Sequence, residues 1–364
     1  MRLVGTKNIK EGAILAKPIL NNHGKVLVNS GVRLEQRIIK RLLDFGVSYV
    51  YLEDKHTQDI KVKDIISEQV KIEAMQTIEK SFDMIKSADS ANISMVMEKN
   101  TPAFKKLVGK VLSELKNHEG LSSIMSDVYL YDNYIFSHSL NVTIYTLALG
   151  LELKLSPKQM EILGLGAILH DIGKTTIPLE ILTKPGKLTA EEFEIIKNHA
   201  EAGFEILRKV ESLPLLVAHC AYQHHERLNG SGYPRGLEEE DIHLFGKIIA
   251  VADVFDAITS NRVYHDALLP HEALEILYTG SNRLYDATIV EAFRRSIVLY
   301  PNGLSVKLSN GDKGIVCKQN KGMNERPIIR IVESQGREIP PFDLDLKEHL
   351  SIVITECDTI QHPF

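Results

Sequence analysis

Apolar residues recur at helical spacing through the middle of the chain and at strand spacing near its two ends. Between residues 121 and 300, apolar runs follow helix-start signals such as Ser156-Pro157 and Thr189-Ala190-Glu191-Glu192. Serine or threonine at the N-cap, proline at the first helical position and Glu or Gln at the third are typical of helix N-termini. No alternating strand pattern interrupts this stretch. The sequence therefore predicts an all-helical domain over residues 120–303.

The first 55 residues follow a different pattern. A turn signal at Asn22-His23-Gly24 precedes the strand-like "GKVLVNSG", and the amphipathic "LEQRIIKRLLDFG" predicts a helix closed by Gly46. The next segment, "VSYVYL", is rich in the β-branched and aromatic residues that strands favour. These patterns predict a small N-terminal α/β module over residues 1–55. Because it holds no metal-ligand or nucleophile pattern, we expect a sensory, regulatory or assembly role.

A helical linker is predicted over residues 56–119, with a break at Pro102. Apolar residues repeat there at intervals of three and four, which gives one helix an apolar stripe. The stripe consists of Ile72, Met75, Ile78, Phe82 and Ile85. Such a stripe either packs into the core of its own domain or pairs two copies of the chain. The second interpretation predicts a homodimer through the N-terminal helices.

A short β-rich tail is predicted over residues 304–364. The segment "LSVKLSNGDKGIVCKQ" alternates apolar and polar residues around Asn310-Gly311, a strong hairpin signal. Further strand candidates are "PIIRIVES" and "LSIVITE". The predicted fold class is therefore mainly α, with an all-helical domain between a small α/β module and a β-rich tail.

Composition narrows the class of protein. The 364 residues are 44% hydrophobic and 25% charged, as in soluble globular proteins. No apolar run approaches the ~18 residues of a membrane helix, and the first residues lack the apolar segment of a signal peptide. We therefore expect a cytoplasmic protein without membrane insertion. A net charge of -5 argues against DNA as a partner, since phosphate binding needs clustered Lys and Arg.

Histidine, rather than cysteine, carries the candidate chemistry. The three cysteines are too few and too scattered for a disulfide framework or a zinc knuckle. Nine of the 14 histidines, by contrast, lie between residues 138 and 271. Imidazole combined with carboxylate suits a divalent metal such as Fe, Mn or Zn. The candidate ligands in the predicted helical domain are His138, His170, Asp171, His199, His224, His225 and Asp253.

Asp171 stands beside His170 at the end of an apolar run, in "LHDIGKTTIP". Neighbouring side chains on a helix point about 100° apart, so at a helix end both can converge on ions in one pocket. Seven donors are too many for one catalytic ion, which typically keeps about three protein ligands. They fit two ions that share Asp171. Two such ions clamp a phosphoryl group and lower the pKa of a bridging water toward ~7. Lys174, one helical turn from His170, is placed to stabilise the developing negative charge.

Five segments, taken together and in order, resemble the HD-GYP domain, a subgroup of the HD metallophosphohydrolases. They are "DNYIFSHSLNV" (132–142), "HDIGK" (170–174), "NHAEAGFEIL" (198–207), "HHERLNGSGYP" (224–234) and "DVFDAITSNRVY" (253–264). The resemblance implies a five-helix HD core with extra helices and an Fe or Mn centre. It also implies hydrolysis of the bacterial second messenger cyclic di-GMP to linear pGpG, and often on to GMP.

The same resemblance implies roles for individual residues. One metal ion would be held by His138, His170, Asp171 and Asp253, and the other by Asp171, His199, His224 and His225. Lys174 would contact the scissile phosphate, Tyr233 and Arg262 would contact the dinucleotide, and Asp132 would lie near the edge of the metal centre. Asp171 and Lys174 are thus the predicted catalytic residues.

Two positions depart from the family pattern. Some members carry a glutamate at the position of Tyr134 that helps to hold a third metal, and tyrosine is a poor ligand for such a centre. We therefore expect two divalent ions per chain. His265 stands where relatives often have a basic residue, so one substrate contact is expected to be weaker or pH-sensitive.

The leading hypothesis is a cyclic di-GMP phosphodiesterase that acts through a metal-bridging hydroxide. Two alternatives remain open at this point. The first is a catalytically weak receptor for cyclic dinucleotides, and the second is an HD phosphohydrolase that acts on another cyclic or linear nucleotide. Turnover against a panel of nucleotides distinguishes the three.

Overall fold

The computed structural model of the chain describes residues 1–21, 25–60, 62, 65–88, 92–117, 134–184, 186–260, 268–320 and 322–359. These residues form two compact units. One unit combines Met1–Ile65 with residues 297–359, and the other combines Ile66–Asn117 with residues 134–296. Among the described residues, no helix combines the length and the apolar character needed to cross a bilayer.

The first unit begins with a small α/β arrangement, as predicted. It contains strands β1 (Arg2–Gly5), β2 (Ile19–Leu20), β3 (Val26–Val28) and β4 (Tyr49–Leu52), with helix α1 (Gln36–Asp44) before β4. β1 pairs antiparallel with β4, and β2 with β3. Gly46 follows α1 at a φ of +74°, a left-handed conformation that favours glycine at a helix end. Apolar residues of these elements, such as Val4, Leu34 and Leu42, form the core.

Five C-terminal strands form an antiparallel sheet in the same unit. They are β5 (Ser305–Leu308), β6 (Lys313–Lys318), β7 (Ile328–Ser334), β8 (Arg337–Asp345) and β9 (Ile354–Asp358), in the order β8-β7-β6-β5-β9. The predicted hairpin is confirmed, since Gly311 takes a φ of +88° between β5 and β6. The sequence analysis did not single out β8, which contains Pro340 and Pro341. In the sheet that the described residues form, β8 is an edge strand, and edge strands tolerate proline because their outer edge makes no ladder hydrogen bonds.

Hydrogen bonds join the two ends of the chain within this unit. The amide of Leu3 donates to the carbonyl of Gly303 at 2.9 Å, and the amide of Gly5 donates to that of Thr359 at 2.8 Å. The buried guanidinium of Arg2 donates to Ser305 Oγ at 3.0 Å. The segments predicted as an N-terminal module and a C-terminal tail therefore belong to one unit. Residues 66–117, predicted as a linker, belong to the helical unit.

The second unit is built of helices, as predicted for its central part. They are α2 (Glu68–Lys86), α3 (Ile93–Asn117), α4 (Tyr134–Glu152), α5 (Pro157–Leu169), α6 (Leu179–Leu182), α7 (Ala190–Leu207), α8 (Leu215–Gln223), α9 (Leu244–Thr259), α10 (Pro270–Thr279) and α11 (Ala287–Ser296). Both predicted capping boxes are present, at Ser156 for α5 and at Thr189 for α7. Helices α4, α5, α8 and α9 pack against one another, and α7 packs on α8. The helices that carry the candidate ligands are thus neighbours in this unit.

The apolar stripe of α2 packs within the helical unit, against α3 and α4. Met75, Ile78, Phe82 and Ile85 are buried there. This accounts for the stripe without a second copy of the chain, and the homodimer stays a prediction. The break predicted at Pro102 is wrong, because α3 continues through that residue. Proline removes one backbone donor, and the buried residues on either side of Pro102, such as Met97 and Phe104, keep this helix packed.

Candidate metal centre

The seven predicted ligands come from five helices. His138 lies in α4, His199 in α7 and Asp253 in α9, whereas His170-Asp171 and His224-His225 stand at the C-terminal ends of α5 and α8. At a helix end the chain leaves the regular spiral, so both members of an adjacent pair can point into one site. This is the arrangement that the sequence predicted for His170-Asp171, and His224-His225 has it too.

Asp171 occupies the middle of the cluster. Its Oδ2 lies 3.5 Å from His138 Nε2 and 3.4 Å from His170 Nε2. Its Oδ1 lies 3.4 Å from His199 Nε2 and 3.9 Å from His224 Nε2. The two carboxylate oxygens therefore face two different pairs of imidazoles.

His225 and Asp253 complete the cluster on either side of these pairs. His225 Nε2 lies 3.1 Å from His199 Nε2, and Asp253 Oδ1 lies 3.0 Å from His138 Nε2. The donor atoms form two groups, and within each group all of the atoms lie within 4.8 Å of one another. One group is His138, His170 and Asp171, and the other is Asp171, His199, His224 and His225. The structure thus brings together all seven residues that the sequence singled out as candidate ligands.

Backbone carbonyls orient three of the histidines. The Nδ1 atoms of His170, His199 and His224 lie 2.6, 2.6 and 2.9 Å from the carbonyl oxygen three residues earlier in the chain. A carbonyl oxygen only accepts, so Nδ1 carries the proton and Nε2 keeps its lone pair. These Nε2 atoms are the ones that face Asp171. The rings are therefore held in the tautomer that a metal ion at Nε2 requires.

Asp256 orients His138, and the sequence analysis did not identify it. Its Oδ2 lies 2.7 Å from His138 Nδ1, and both side chains are buried. A carboxylate behind a ligating histidine fixes the ring and raises its basicity. The sequence carried one signal for this residue, because Asp253 and Asp256 are spaced to share one face of an apolar helix.

Burial keeps three of the imidazoles neutral. It lowers the pKa of His199 to about 4, although the charge of Asp171 opposes the shift. Burial, with the neighbouring histidines, also lowers the pKa of His224 well below its ordinary value. His225 is lowered in the same way, by burial and by His224. Neutral imidazole is the form that binds metal, so these side chains are available as ligands at neutral pH.

The two aspartates remain ionised despite their burial. Burial by itself raises the pKa of Asp171, but the charge of Lys174 holds it well below its usual range. Burial likewise opposes ionisation of Asp253, whose pKa is lowered well below its ordinary value by a hydrogen bond from His138. For His138 in the metal-free cluster, burial lowers the pKa, but hydrogen bonds to Asp253 and Asp256 raise it to about 9. A metal ion at His138 Nε2 would therefore displace a proton from that ring. The centre therefore holds two carboxylates among imidazoles.

The donor set fits divalent metal ions. Within the part of the chain that the structure describes, His170 Nε2 and Asp171 Oδ1 are buried without a hydrogen-bond partner. A buried polar atom in that state costs about 1–3 kcal/mol. A divalent ion among these nitrogens and oxygens would give both atoms a partner, and mixed imidazole and carboxylate ligands suit Fe, Mn or Zn.

Lys174 and Gly173 follow Asp171 in a short 3-10 helix, Ile172–Thr176. The Lys174 ammonium forms an ion pair with Asp171 Oδ2 and keeps 18% of its side chain exposed. Gly173 lets this turn lie directly on α7, because a Cβ there would come 1.9 Å from the carbonyl oxygen of His199. The turn thus places a cation at the edge of the cluster and holds Asp171 against His199.

The loop after His225 returns to the cluster through Tyr233. The Tyr233 ring stacks on the imidazole of His225, with centroids 4.5 Å apart and planes inclined by 28°. The buried carboxylate of Glu226 accepts hydrogen bonds from the amides of Arg235 at 2.8 Å and Leu237 at 2.9 Å. Sequence reasoning missed Glu226, although it stands next to the paired histidines. This carboxylate fastens the far side of the loop that brings Tyr233 to His225.

Three predicted positions lie outside the described residues: Asp132, Arg262 and His265. The same holds for the side chain of Tyr134. The predictions made for them stay predictions.

A helical unit with a buried cluster of histidines and aspartates is typical of the class of helical domains that bind metal ions. Residues 112–289 match the family described as HD domain. This part of the chain, just under half of its length, is therefore similar to the HD domain family, which is the resemblance that its motifs predicted.

Several proteins similar to this chain are named as phosphodiesterases of cyclic dinucleotides. The chain is 33% identical over 234 residues to a cyclic di-GMP phosphodiesterase of Pseudomonas aeruginosa, a match that covers 64% of this chain and 56% of that protein. It is 52% identical over 128 residues to a cyclic di-GMP phosphodiesterase of Thermotoga maritima, with 35% of each chain covered. It is 35% identical over 180 residues to a 3'3'-cGAMP-specific phosphodiesterase of Vibrio cholerae, covering 50% of this chain and 39% of that one. These matches span little more than half, or less, of each relative.

Proposed function

We propose that the protein is a metal-dependent phosphodiesterase that hydrolyses cyclic di-GMP to pGpG. One observation carries the proposal: the two oxygens of Asp171 face two separate groups of metal-ligand atoms. A bridging carboxylate of this kind is what a binuclear centre for phosphodiester cleavage requires. The similarity to relatives named cyclic di-GMP phosphodiesterases supports the choice of substrate.

The proposed centre holds two divalent ions per chain, Fe or Mn. His138, His170, Asp171 and Asp253 would hold one, and Asp171, His199, His224 and His225 the other. When bound, two such ions polarise a phosphoryl oxygen and make a bound water acidic enough to ionise near neutral pH. Asp171 keeps the two sites at a fixed separation. Burial of the cluster excludes bulk solvent, which strengthens the electrostatic interactions within it.

The residues at the edge of the cluster would bind the substrate. Lys174 would donate to a nonbridging oxygen of the scissile phosphate, where negative charge develops during attack. Tyr233 would contact the dinucleotide beside His225. We retain Arg262 and Asp132 as proposed substrate contacts on the strength of the sequence motifs alone. A guanidinium there suits either a phosphate or a guanine edge.

A second cyclic dinucleotide is a candidate substrate. The relative from Vibrio cholerae is named specific for 3'3'-cGAMP, and it shares a comparable level of identity with this chain. The two substrates differ in one base, and the phosphodiester chemistry is the same. The residues around the bases, rather than the metal ligands, therefore decide between them.

The test is turnover by protein purified without oxygen and loaded with Fe(II) or Mn(II). Products are resolved by chromatography, and metal is counted per chain. We expect cleavage of cyclic di-GMP with about two ions per chain. Asp171→Ala should lose both metal and turnover, whereas Asp241→Ala, at an exposed acidic position, should keep them.

Several outcomes would count against the proposal. Near-normal turnover by a folded Asp171→Ala protein would refute the two-metal centre. Tight binding of cyclic di-GMP without cleavage in either metal would favour a receptor. Faster cleavage of 3'3'-cGAMP than of cyclic di-GMP would reassign the substrate.

A further inference from the structure

A surface of two aromatic rings and one cation lies beside the proposed centre. The ring of Phe193, on α7, lies edge-on to the ring of Tyr233, with centroids 6.4 Å apart and planes at 82°. The ammonium of Lys197, one turn further along α7, lies 5.0 Å from the centre of the Phe193 ring and 5.7 Å from that of Tyr233. Because Tyr233 also stacks on His225, this surface continues outward from the metal cluster.

Packing of the helical unit does not account for Phe193. The side chain is 44% exposed, although a phenylalanine of a folded domain is usually buried. The acidic partner of Lys197 is Glu194, at 2.6 Å, and the Glu194 side chain is itself 68% exposed. An exposed ion pair of this kind contributes only about 0–1 kcal/mol, so Lys197 can exchange Glu194 for another acceptor.

The chemistry of this surface matches a guanine base. Nucleobases stack on exposed aromatic rings. An ammonium donates to the O6 and N7 acceptors of guanine, whereas adenine presents an amino donor in place of O6. The base of a nucleotide lies one ribose away from its phosphate. Tyr233 spans the corresponding step, from His225 at the cluster to Phe193 further out.

We propose that Phe193 and Lys197, with Tyr233, form the subsite for one guanine of a cyclic dinucleotide. This inference rests on the proposed function, because it places the phosphate of the same nucleotide at the metal centre. Phe193 supplies the stacking surface for the base. Lys197 selects guanine over adenine at that position.

The experiment is equilibrium binding of cyclic di-GMP and cyclic di-AMP to metal-loaded protein. We expect Phe193→Ala to raise the Kd for both ligands about tenfold, which is within the range of base stacking on an aromatic ring. Phe193→Tyr, which keeps an aromatic ring, should leave the Kd for both ligands at the wild-type value. Lys197→Met, which keeps the stem of the side chain, should lower the preference for cyclic di-GMP over cyclic di-AMP about tenfold. Ile195→Ala, at an exposed apolar position of the same helix, should bind as the wild type does.

A second measurement separates the subsite from the proposed function. Bis(p-nitrophenyl) phosphate is a diester without a nucleobase, so its kcat at saturating substrate reports on the metal centre. Its nitrophenyl rings can stack on Phe193, so the KM is not compared. Ile195→Ala, outside the subsite, should keep the wild-type kcat. The subsite is refuted if the wild type binds neither ligand, or if Phe193→Ala binds both normally while diester hydrolysis persists. If the wild type cleaves no diester yet Phe193→Ala weakens binding, the subsite stands and the proposed phosphodiesterase activity does not.

Discussion

The carboxylate of Asp256 lies 2.7 Å from Nδ1 of His138, on the side of the imidazole ring away from Asp171 and Asp253. The ring is thus held between a carboxylate behind it and two carboxylates in front. Asp256 is itself held by the hydroxyl of Ser260, at 3.3 Å from its Oδ1. The orientation of one proposed ligand therefore depends on a residue that is not itself among the proposed ligands.

We expect Asp256→Asn to weaken metal binding about 10- to 100-fold, as loss of such a supporting carboxylate does in other metal proteins. The amide removes the charge that stabilises the His138 ring. Competition titration with a chelator measures the affinity, and Asp241→Asn serves as an exposed control. Unchanged affinity would mean that Asp256 has no part in positioning His138.

Gly173→Ala should disrupt the centre without changing any ligand. The added Cβ would lie 1.9 Å from the carbonyl oxygen of His199 and 2.6 Å from the amide nitrogen of Gly203. Both are backbone atoms, so α7 must move away from Asp171, at a cost of about 1–3 kcal/mol or more. We expect lower metal occupancy and a lower free energy of unfolding.

Gly109→Ala is the matched control for that substitution. Gly109 lies within α3, and a Cβ there meets no atom within 4 Å. Alanine should be neutral there or raise the free energy of unfolding by up to about 1 kcal/mol. Equal effects of the two substitutions would contradict the steric argument.

Glu226→Gln should loosen the loop that carries Tyr233. Glutamine offers one acceptor oxygen in place of two, so either the Arg235 amide or the Leu237 amide would face an NH2 group. We expect a loss of about 1–3 kcal/mol in the free energy of unfolding, together with weaker nucleotide binding at unchanged metal content. Glu201→Gln, at an exposed position of α7, is the control. Loss of metal in Glu226→Gln would show that this carboxylate supports the ligands instead.

The metal-free protein should lose stability as the pH falls from 6.5 toward 4. His199 has a pKa of about 4 in the fold because burial disfavours its charged form, and an unfolded histidine titrates near 6.5. Between these values the unfolded chain binds the extra proton, so the free energy of unfolding falls as the pH falls. His199 alone accounts for about 2 kcal/mol of this loss between pH 7 and 4.5.

Urea unfolding of chelator-treated protein at pH 7 and pH 4.5 measures this effect. Other groups titrate in the same range, so the useful quantity is the difference between the wild type and His199→Gln. The wild type should lose about 2 kcal/mol more than the variant. Equal losses would show that His199 is not held neutral by burial.

The ligand cluster could be predicted from the sequence because chemistry limits the choice. Adjacent pairs such as His170-Asp171 combine imidazole and carboxylate, the ligand types that divalent metals favour, and the resemblance to a known family implied how the ligands are grouped. The helix starts at Ser156 and Thr189 were likewise local, since a capping box is complete within four residues. Because such signals depend only on residues close in sequence, contacts between distant parts of the chain do not alter them.

Features that depend on distant contacts could not be predicted in the same way. The role of Asp256 depends on its contact with His138 on α4, which lies 118 residues away in the sequence. Glu226 gains its role from amides of a loop that folds back nine and eleven residues later. The pairing of Gly5 with Thr359 leaves no trace in the periodicity of either segment.

The contacts between residues near the two ends of this sequence also affect the order in which the two units can fold during synthesis. The side chain of Asn8 donates to the carbonyl of Thr359, 351 residues later. A ribosome adds roughly 5 to 20 residues per second, so about 20 to 70 s separate the appearance of these two partners. All of the helical unit emerges within that interval and can fold first. During that interval the strands of residues 1–65 lack their C-terminal partners, so their edges are exposed to chaperones and to pairing with another chain.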